Sequence, residues 1–563
     1  MIYHCEDHTC NYWDEGEKLP ERCPQCGRKL LRANEADMTG DDWTALGNTL
    51  WDAEASDKKR MVDCFRKAAY LGSAWGVCNL GICMEQGNGV EADPVQAFWL
   101  YQQAVEMGSL NAVCCLGVCY QYGIGTAPDA KQAAELYCKA AEYGSPRGQM
   151  LLARAFHDGI GVEADAAEAV YWVRAAAYQR YGEGMHRLGV CYEYGDGVEQ
   201  NWERAVHWFR EAAESGVSVA MADLGYCYEK GCGVEQSWEQ AFSWYRRGAE
   251  CGYPVSMSNL GLCYKRGYGV DQNWQEAIKW YEQGAQCGDL QSMHNLACCY
   301  ERGEGVEQNE DRALYWYRRG AEAGSDYCMY CLGWNYSNGE GVEQNMTEAI
   351  RWYTAAAEGG NADAMHNLGW HYDHGEGVEQ DMKKAICWYE RAAEQNHPAA
   401  MNSLGECYAM GRGVPRDLET AMEWYRRAAE LGEAMADYNM GWHLEQAGKL
   451  SEAYAHYRKA ADGNDDSAWW ALGRFYENGV VVAQDGKEAR RCYETGEKLG
   501  SVKCKMRLAR CKLLGIGGHR AKKAGLDLCR QALELAKESS EKEDYGYEAE
   551  MNLLRRTIAE NES

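Results

Sequence analysis

Four cysteines near the N-terminus combine residue type and spacing in a way that points to metal chemistry. Cys5-x4-Cys10-x12-Cys23-x2-Cys26 makes two knuckles, the second reading "CPQCG". Thiolates spaced in this way wrap around a tetrahedral metal ion. A thiolate tetrad suits zinc and iron alike. Structural zinc is the expected cofactor and iron the alternative, because nothing else in the chain resembles an electron-transfer partner. His4 and His8 stand close enough to replace one of the cysteine ligands. Without a metal, about 40 residues would have too little core to fold alone.

Elsewhere the chemistry-bearing residues are scattered. His294 and Cys298 share a helix face at i and i+4, which is metal-ligand spacing, and His366, His371 and His374 cluster in one short stretch. Each is read as a feature of its helix rather than as a site. HExxH, GxSxG and a dinucleotide fingerprint following a strand are all missing. The expectation is a protein that is not an enzyme.

One further motif invites a chemical reading. "YEYGDGVEQN" from Tyr192 sets two glycines two apart beside an acidic residue, as a phosphate-cradling loop does. The phrase recurs, however, from Tyr228, Tyr264, Tyr300, Tyr336 and Tyr372, each 36 residues after the last. A phosphate site is built once, whereas punctuation is repeated. The glutamates at 199, 235, 307, 343 and 379 would also repel an anion. The loop is therefore expected to be a turn whose glycines supply positive φ.

The period defines the elements. From Val217 to Asn273, apolar or small residues at helical spacing (Ala220, Leu224, Cys227, Tyr228) predict a first helix. Trp238, Ala241, Phe242, Trp244, Tyr245 and Ala249 predict a second, which closes at Gly252. A Leu-Gly or Leu-Ala pair in the first helix, Met-Gly in the last member, recurs at 36-residue steps from Gly81 to Gly441. Gly47, Gly473 and Ala509 extend the series less regularly, for about 14 hairpins. Alanine holds one second-helix column from Ala97 to Ala421 and tryptophan another from Trp172 to Trp424; both are read as packing. Eight cysteines, Cys83 to Cys511, fill a first-helix column. Neighbouring helices lie roughly 8–10 Å apart, too far for column neighbours to form disulfides. They are read as buried thiols.

These residues resemble the Sel-1-like repeat family, a relative of the tetratricopeptide repeats, whose pattern is nearly spelled out from Asn259 to Gly288. The resemblance implies an all-α, right-handed superhelical solenoid used as an adaptor for other proteins. A cysteine-rich secreted branch of the family pairs cysteines eight apart across each hairpin junction. Here the corresponding positions of the unit at Gly261 are Ala249 and Met257. Separately, "CNYWDEGEKLPERCPQCG" resembles the rubredoxin-type ribbon, although its first knuckle is two residues longer than usual. The expected organisation is a zinc ribbon and linker over 1–40, the repeat solenoid over 41–540 and a C-terminal capping helix over 541–563.

With a formal net charge of -28, nucleic acid and anionic membrane surfaces are unexpected partners. No run of 18 apolar residues exists and "MIYHCEDHTC" lacks a signal-peptide pattern, so a soluble, cytoplasmic protein is expected. The functional expectation is a scaffold that binds a protein or peptide in a concave groove. The alternative is a regulatory metalloprotein whose ribbon senses redox or metal state. In tetratricopeptide relatives the groove is lined by first-helix positions that the core leaves free, and the resemblance transfers that role to the same columns here. They hold His294, Asn295, Tyr330, Trp334, His366, Asn367, Trp370, His374, Tyr438, Asn439 and Trp442.

Overall fold

A computed structural model of the chain describes residues 2–5, 13–15, 30–33, 35–51, 55–542 and 547–562. Three short strands, Ile2–Cys5, Trp13–Glu15 and Leu30–Ala33, form an antiparallel sheet with the first in the middle. Cys10, Cys23 and Cys26 lie outside the described residues, and of Cys5 only the backbone is described. The expected metal ligands and ribbon therefore fall outside the described part. The remainder is an all-helical repeat solenoid of 29 α-helices among the described residues. The chain divides into two compact units, Met1–Ser292 and Met293–Ser563.

The hairpin formed by Ser218–Lys230 and Trp238–Glu250 shows how the local sequence builds a repeat. Gly231 closes the first helix at φ 74°, and its N–H and that of Cys232 both donate to the Cys227 carbonyl, at 2.9 and 3.0 Å. The Gln236 side chain donates to the Glu229 carbonyl at 2.8 Å, satisfying another open helix end. Ser237 then caps the second helix by accepting from the Gln240 N–H at 3.3 Å. Gly233, at φ 69°, presses against the Trp202 backbone of the preceding repeat, where a Cβ would collide. The loop is thus a turn packed against the preceding repeat, as expected.

The core rests on one contact repeated along the chain. Opposite the glycine of each Leu-Gly pair sits an aromatic ring from the second helix. A Cβ at Gly117, Gly225, Gly261 or Gly405 would lie 2.5 Å from the ring of Tyr137, Tyr245, Tyr281 or Tyr425. These tyrosines are buried, and several extend a hydroxyl to a first-helix carboxylate, as Tyr101 does to Glu85 at 2.6 Å and Tyr245 to Glu229 at 2.8 Å. The tryptophan column packs as expected, with Trp172, Trp208, Trp280, Trp388 and Trp424 against the core clusters, but less deeply than the tyrosines. Except for buried Trp244, the column from Trp172 to Trp424 is half-buried. Arginines lie over its rings, Arg247 at 4.3 Å from Trp244, Arg391 at 4.3 Å from Trp388 and Arg427 at 4.5 Å from Trp424. The cysteine column is buried, and burial pushes the thiols of Cys83 and Cys407 up to about 11 and those of Cys227 and Cys263 up to about 12.

The C-terminal helix Glu548–Glu562 is pinned by charge as well as by apolar packing. Arg507 donates twice to Glu550, at 2.6 and 2.7 Å, and once to Glu477 at 3.3 Å, while the Trp470 indole donates to Glu550 at 3.2 Å.

Candidate protein-interaction face

The residue after each Leu-Gly glycine sits about 100° further round the helix, away from the tyrosine that the glycine admits. That geometry leaves Trp334, Trp370 and Trp442 solvent-facing, at 45%, 37% and 39% exposure. They stand on helices Asp326–Asn338, Ala362–His374 and Ala434–Gln446, all in the C-terminal unit. Trp370 stacks on His374, ring centroids 4.3 Å apart, and His374 Nδ1 lies 2.9 Å from the Trp370 carbonyl oxygen. Trp442 meets His443 edge-on at 4.7 Å.

The other groove candidates are drawn further into the repeats. Tyr330 and Tyr438 are half-buried, their rings 6.0 and 5.6 Å from Tyr353 and Tyr457. Burial pushes the Tyr438 hydroxyl up to about 12. His366 stacks on His397 at 5.2 Å; burial first, and then the neighbouring imidazole, depress it to about 4, so its ring is neutral at physiological pH. His294 lies 3.5 Å from the Cys298 sulfur, with the rings of Tyr317 and Tyr327 at 6.2 and 5.9 Å. Asn295, Asn367 and Asn439 are half-buried. Asn439 donates to Asn402 at 3.0 Å and to Glu406 at 3.2 Å, tying neighbouring repeats together.

A hollow of about 880 Å³ opens beside Trp370, lined by His366, His374, Ser403, Asp373, Glu406, Arg412, Glu433 and Met435 among others. Asp373 is only 4% exposed and accepts from Arg412 at 2.9 Å. Burial raises the Glu406 carboxyl above the usual range. Sequence reading passed over Ser403 and Glu406 because they are small or charged, although they occupy the same columns, relative to Gly405, that hold Asn367 and Trp370 relative to Gly369. Position within the period was the available signal. Among the described residues, no group of three or more His, Cys, Asp or Glu side chains is placed to hold a metal ion. No helix there is long and apolar enough to cross a membrane.

Comparisons with known proteins agree with this architecture. The Sel1 repeat signature matches twelve consecutive stretches, the first at 76–109 and the last at 468–501. The structure is similar to that of a protective antigen of uropathogenic Escherichia coli strains displaying an SLR fold. The identity is 28% over 76% of this chain and 94% of the other, with a TM-score of 0.52. A Sel1 repeat protein from Oxalobacter formigenes is 32% identical over 43% of this chain and 96% of its own, with a TM-score of 0.40. An immunity protein from Pseudomonas aeruginosa is 20% identical over 38% and 81%, with a TM-score of 0.30. No curated protein matches the chain. The twelve matched repeats, which cover most of the chain, and the helical hairpins that form them place this chain in the Sel1 repeat family.

Proposed function

We propose that the chain is a non-catalytic scaffold that holds a protein or peptide against the first-helix face of its C-terminal unit, with Trp334, Trp370 and Trp442 as anchors. Sel1 repeat proteins are generally protein-interaction scaffolds. The observation that carries the reading is the exposure of three large aromatic side chains at one column position of the repeat. Exposed aromatic residues with polar surroundings are the usual anchors of interfaces. Trp334 and Trp370 stand in consecutive repeats, so one segment of a partner can touch both. The hollow beside Trp370 counts Asp373, Glu376, Glu406 and Glu433 against Arg412, which favours a partner presenting lysine or arginine there.

The test is recovery of partners from the native cell with the full chain as bait. The triple variant W334A/W370A/W442A is expected to lose its partners while far-UV circular dichroism stays at the wild-type level. A folded variant that keeps its partners overturns the reading. His294, Asn295, Tyr330, His366, Asn367, His374, Tyr438 and Asn439 flank the anchors, and Asn439 serves as an inter-repeat tie within that face.

The proposed organisation adds the hairpins before residue 76 and after residue 501 as divergent terminal repeats, making about 14, with the last helix as a cap. For residues 1–40 we retain a structural zinc held by Cys5, Cys10, Cys23 and Cys26. Elemental analysis should find about one equivalent of zinc, lost in C23S/C26S. Less than half an equivalent of zinc plus iron in metal-replete protein is the result that sinks it.

A further inference from the structure

The aromatic column has one gap with a cavity behind it. In the unit anchored at Ala153, the position that holds a tyrosine or phenylalanine ring in its neighbours holds Val173, and the anchor glycine is alanine. The column that accepts the tyrosine hydroxyl, glutamate in Tyr101 and Tyr245 hairpins, holds His157. All three departures face one hollow of about 420 Å³, within the N-terminal unit. Its volume is in the range that holds small ligands. Where the column loses its ring a second time, Ala509 with Cys529, the helices close up instead: a Cβ on Gly525 would lie 2.6 Å from the Leu513 Cα.

The wall is apolar below and charged at the mouth. Ala153, Val170 and Val173 are buried and make the floor. At the rim, Arg154 pairs with Asp158 at 3.4 Å and Arg187 with Asp196 at 3.6 Å, while His157 bridges the same two aspartates at 2.6 and 3.2 Å. The third carboxylate, Glu183, accepts from the Tyr181 hydroxyl at 3.2 Å. Arg147 differs. Its guanidinium is partly buried, lines the hollow and donates to the Cys115 sulfur, 3.6 Å away, a weak acceptor. Among the described residues no carboxylate pairs with it.

We propose that this hollow binds an aromatic carboxylate, its ring filling the space that Val173 leaves vacant and its carboxylate on Arg147. The apolar floor selects the ring, and a single arginine without a carboxylate partner selects a single negative charge. Both a free aryl acid and the C-terminal phenylalanine or tyrosine of a polypeptide offer this chemistry. The inference is independent of the tryptophan face.

Calorimetric titration of the full chain with N-acetyl-phenylalanine, its amide and the tetrapeptide Ala-Ala-Ala-Phe tests it. The acid is expected to bind at least about tenfold more tightly than the amide. R147M, which keeps the length of the side chain and removes its charge, is expected to erase that difference while far-UV circular dichroism stays at the wild-type level. A153G/V173Y restores the ring and its glycine, and is expected to abolish binding of both; V173L, which only narrows the hollow, should weaken it. A tetrapeptide that binds more tightly than the free acid identifies a chain end as the natural source, and equal affinity identifies the small acid. Acid and amide binding equally to the wild type, or a folded A153G/V173Y or V173L variant binding as the wild type does, overturns the proposal.

Discussion

The hollow at Val173 and the aromatic face from Trp334 to Trp442 occupy the same surface columns of the same repeat, yet their chemistry is opposed. In the N-terminal unit the columns carry Arg154, Arg187 and His157 around a missing ring. In the C-terminal unit they carry exposed tryptophans above a mostly acidic hollow. The core beneath is nearly the same in both: a small anchor residue, a buried second-helix column and a glycine-capped turn. The difference teaches that this repeat separates tasks by column. Positions facing the second helix are held to one solution by packing, and positions beside them are free to diverge.

The strongest way to break that comparison is to attack the shared contact on both sides of the gap. Tyr281→Ala deletes a fully buried ring and is expected to cost about 3–5 kcal/mol, read as accelerated hydrogen exchange in helices Pro254–Arg266 and Trp274–Gln286. Val173→Ala, beside space that is already open, should cost no more than about 2 kcal/mol. Equal losses would mean that the unit at Ala153 packs as tightly as its neighbours and that the gap is no gap.

Gly405→Val probes the same contact from the other helix. Its side chain meets the Tyr425 ring, and overpacking of this kind costs about 1–3 kcal/mol. A thermal unfolding midpoint unchanged from the wild type would show that the ring can move aside.

His366 sharpens the comparison through pH. Its folded value, depressed to about 4, lies below that of an unfolded histidine. Between about 6.5 and 4 the unfolded state therefore binds more protons, so stability falls as pH falls through that window, by up to about 1.4 kcal/mol per pH unit. Asp363, Asn367, Tyr389, His397 and Ser403 surround the ring. His366→Asn should flatten this part of the stability profile in urea titrations. A variant profile as steep as the wild type's would assign the slope to other groups.

The smallest effect is expected at the half-buried tryptophans. Arg391→Gln removes the guanidinium over Trp388 and should cost about 0.5–1 kcal/mol, visible mainly as a shift in tryptophan fluorescence. A loss as large as that of Tyr281→Ala would return the tryptophan column to the core.

Much of this molecule was determined by its sequence alone. A 36-residue period, glycines two apart and helical spacing on either side suffice for a stack of helical hairpins, because each signal is local and repeated many times. The exposed positions of Trp334, Trp370 and Trp442 were legible for the same reason, being one step round the helix from a glycine. Tertiary structure alone decided which of two adjacent aromatic columns is the core. Tryptophan and tyrosine recur side by side with the same period, and a shift of one residue changes the direction by about 100°, so spacing cannot rank them. The glycine that admits the tyrosine ring belongs to another helix, and only packing brings the two together. The cavity at Val173 was hidden on the same grounds: one valine in a column of rings becomes a hollow only where the facing helices do not close over it, and that depends on three helices at once.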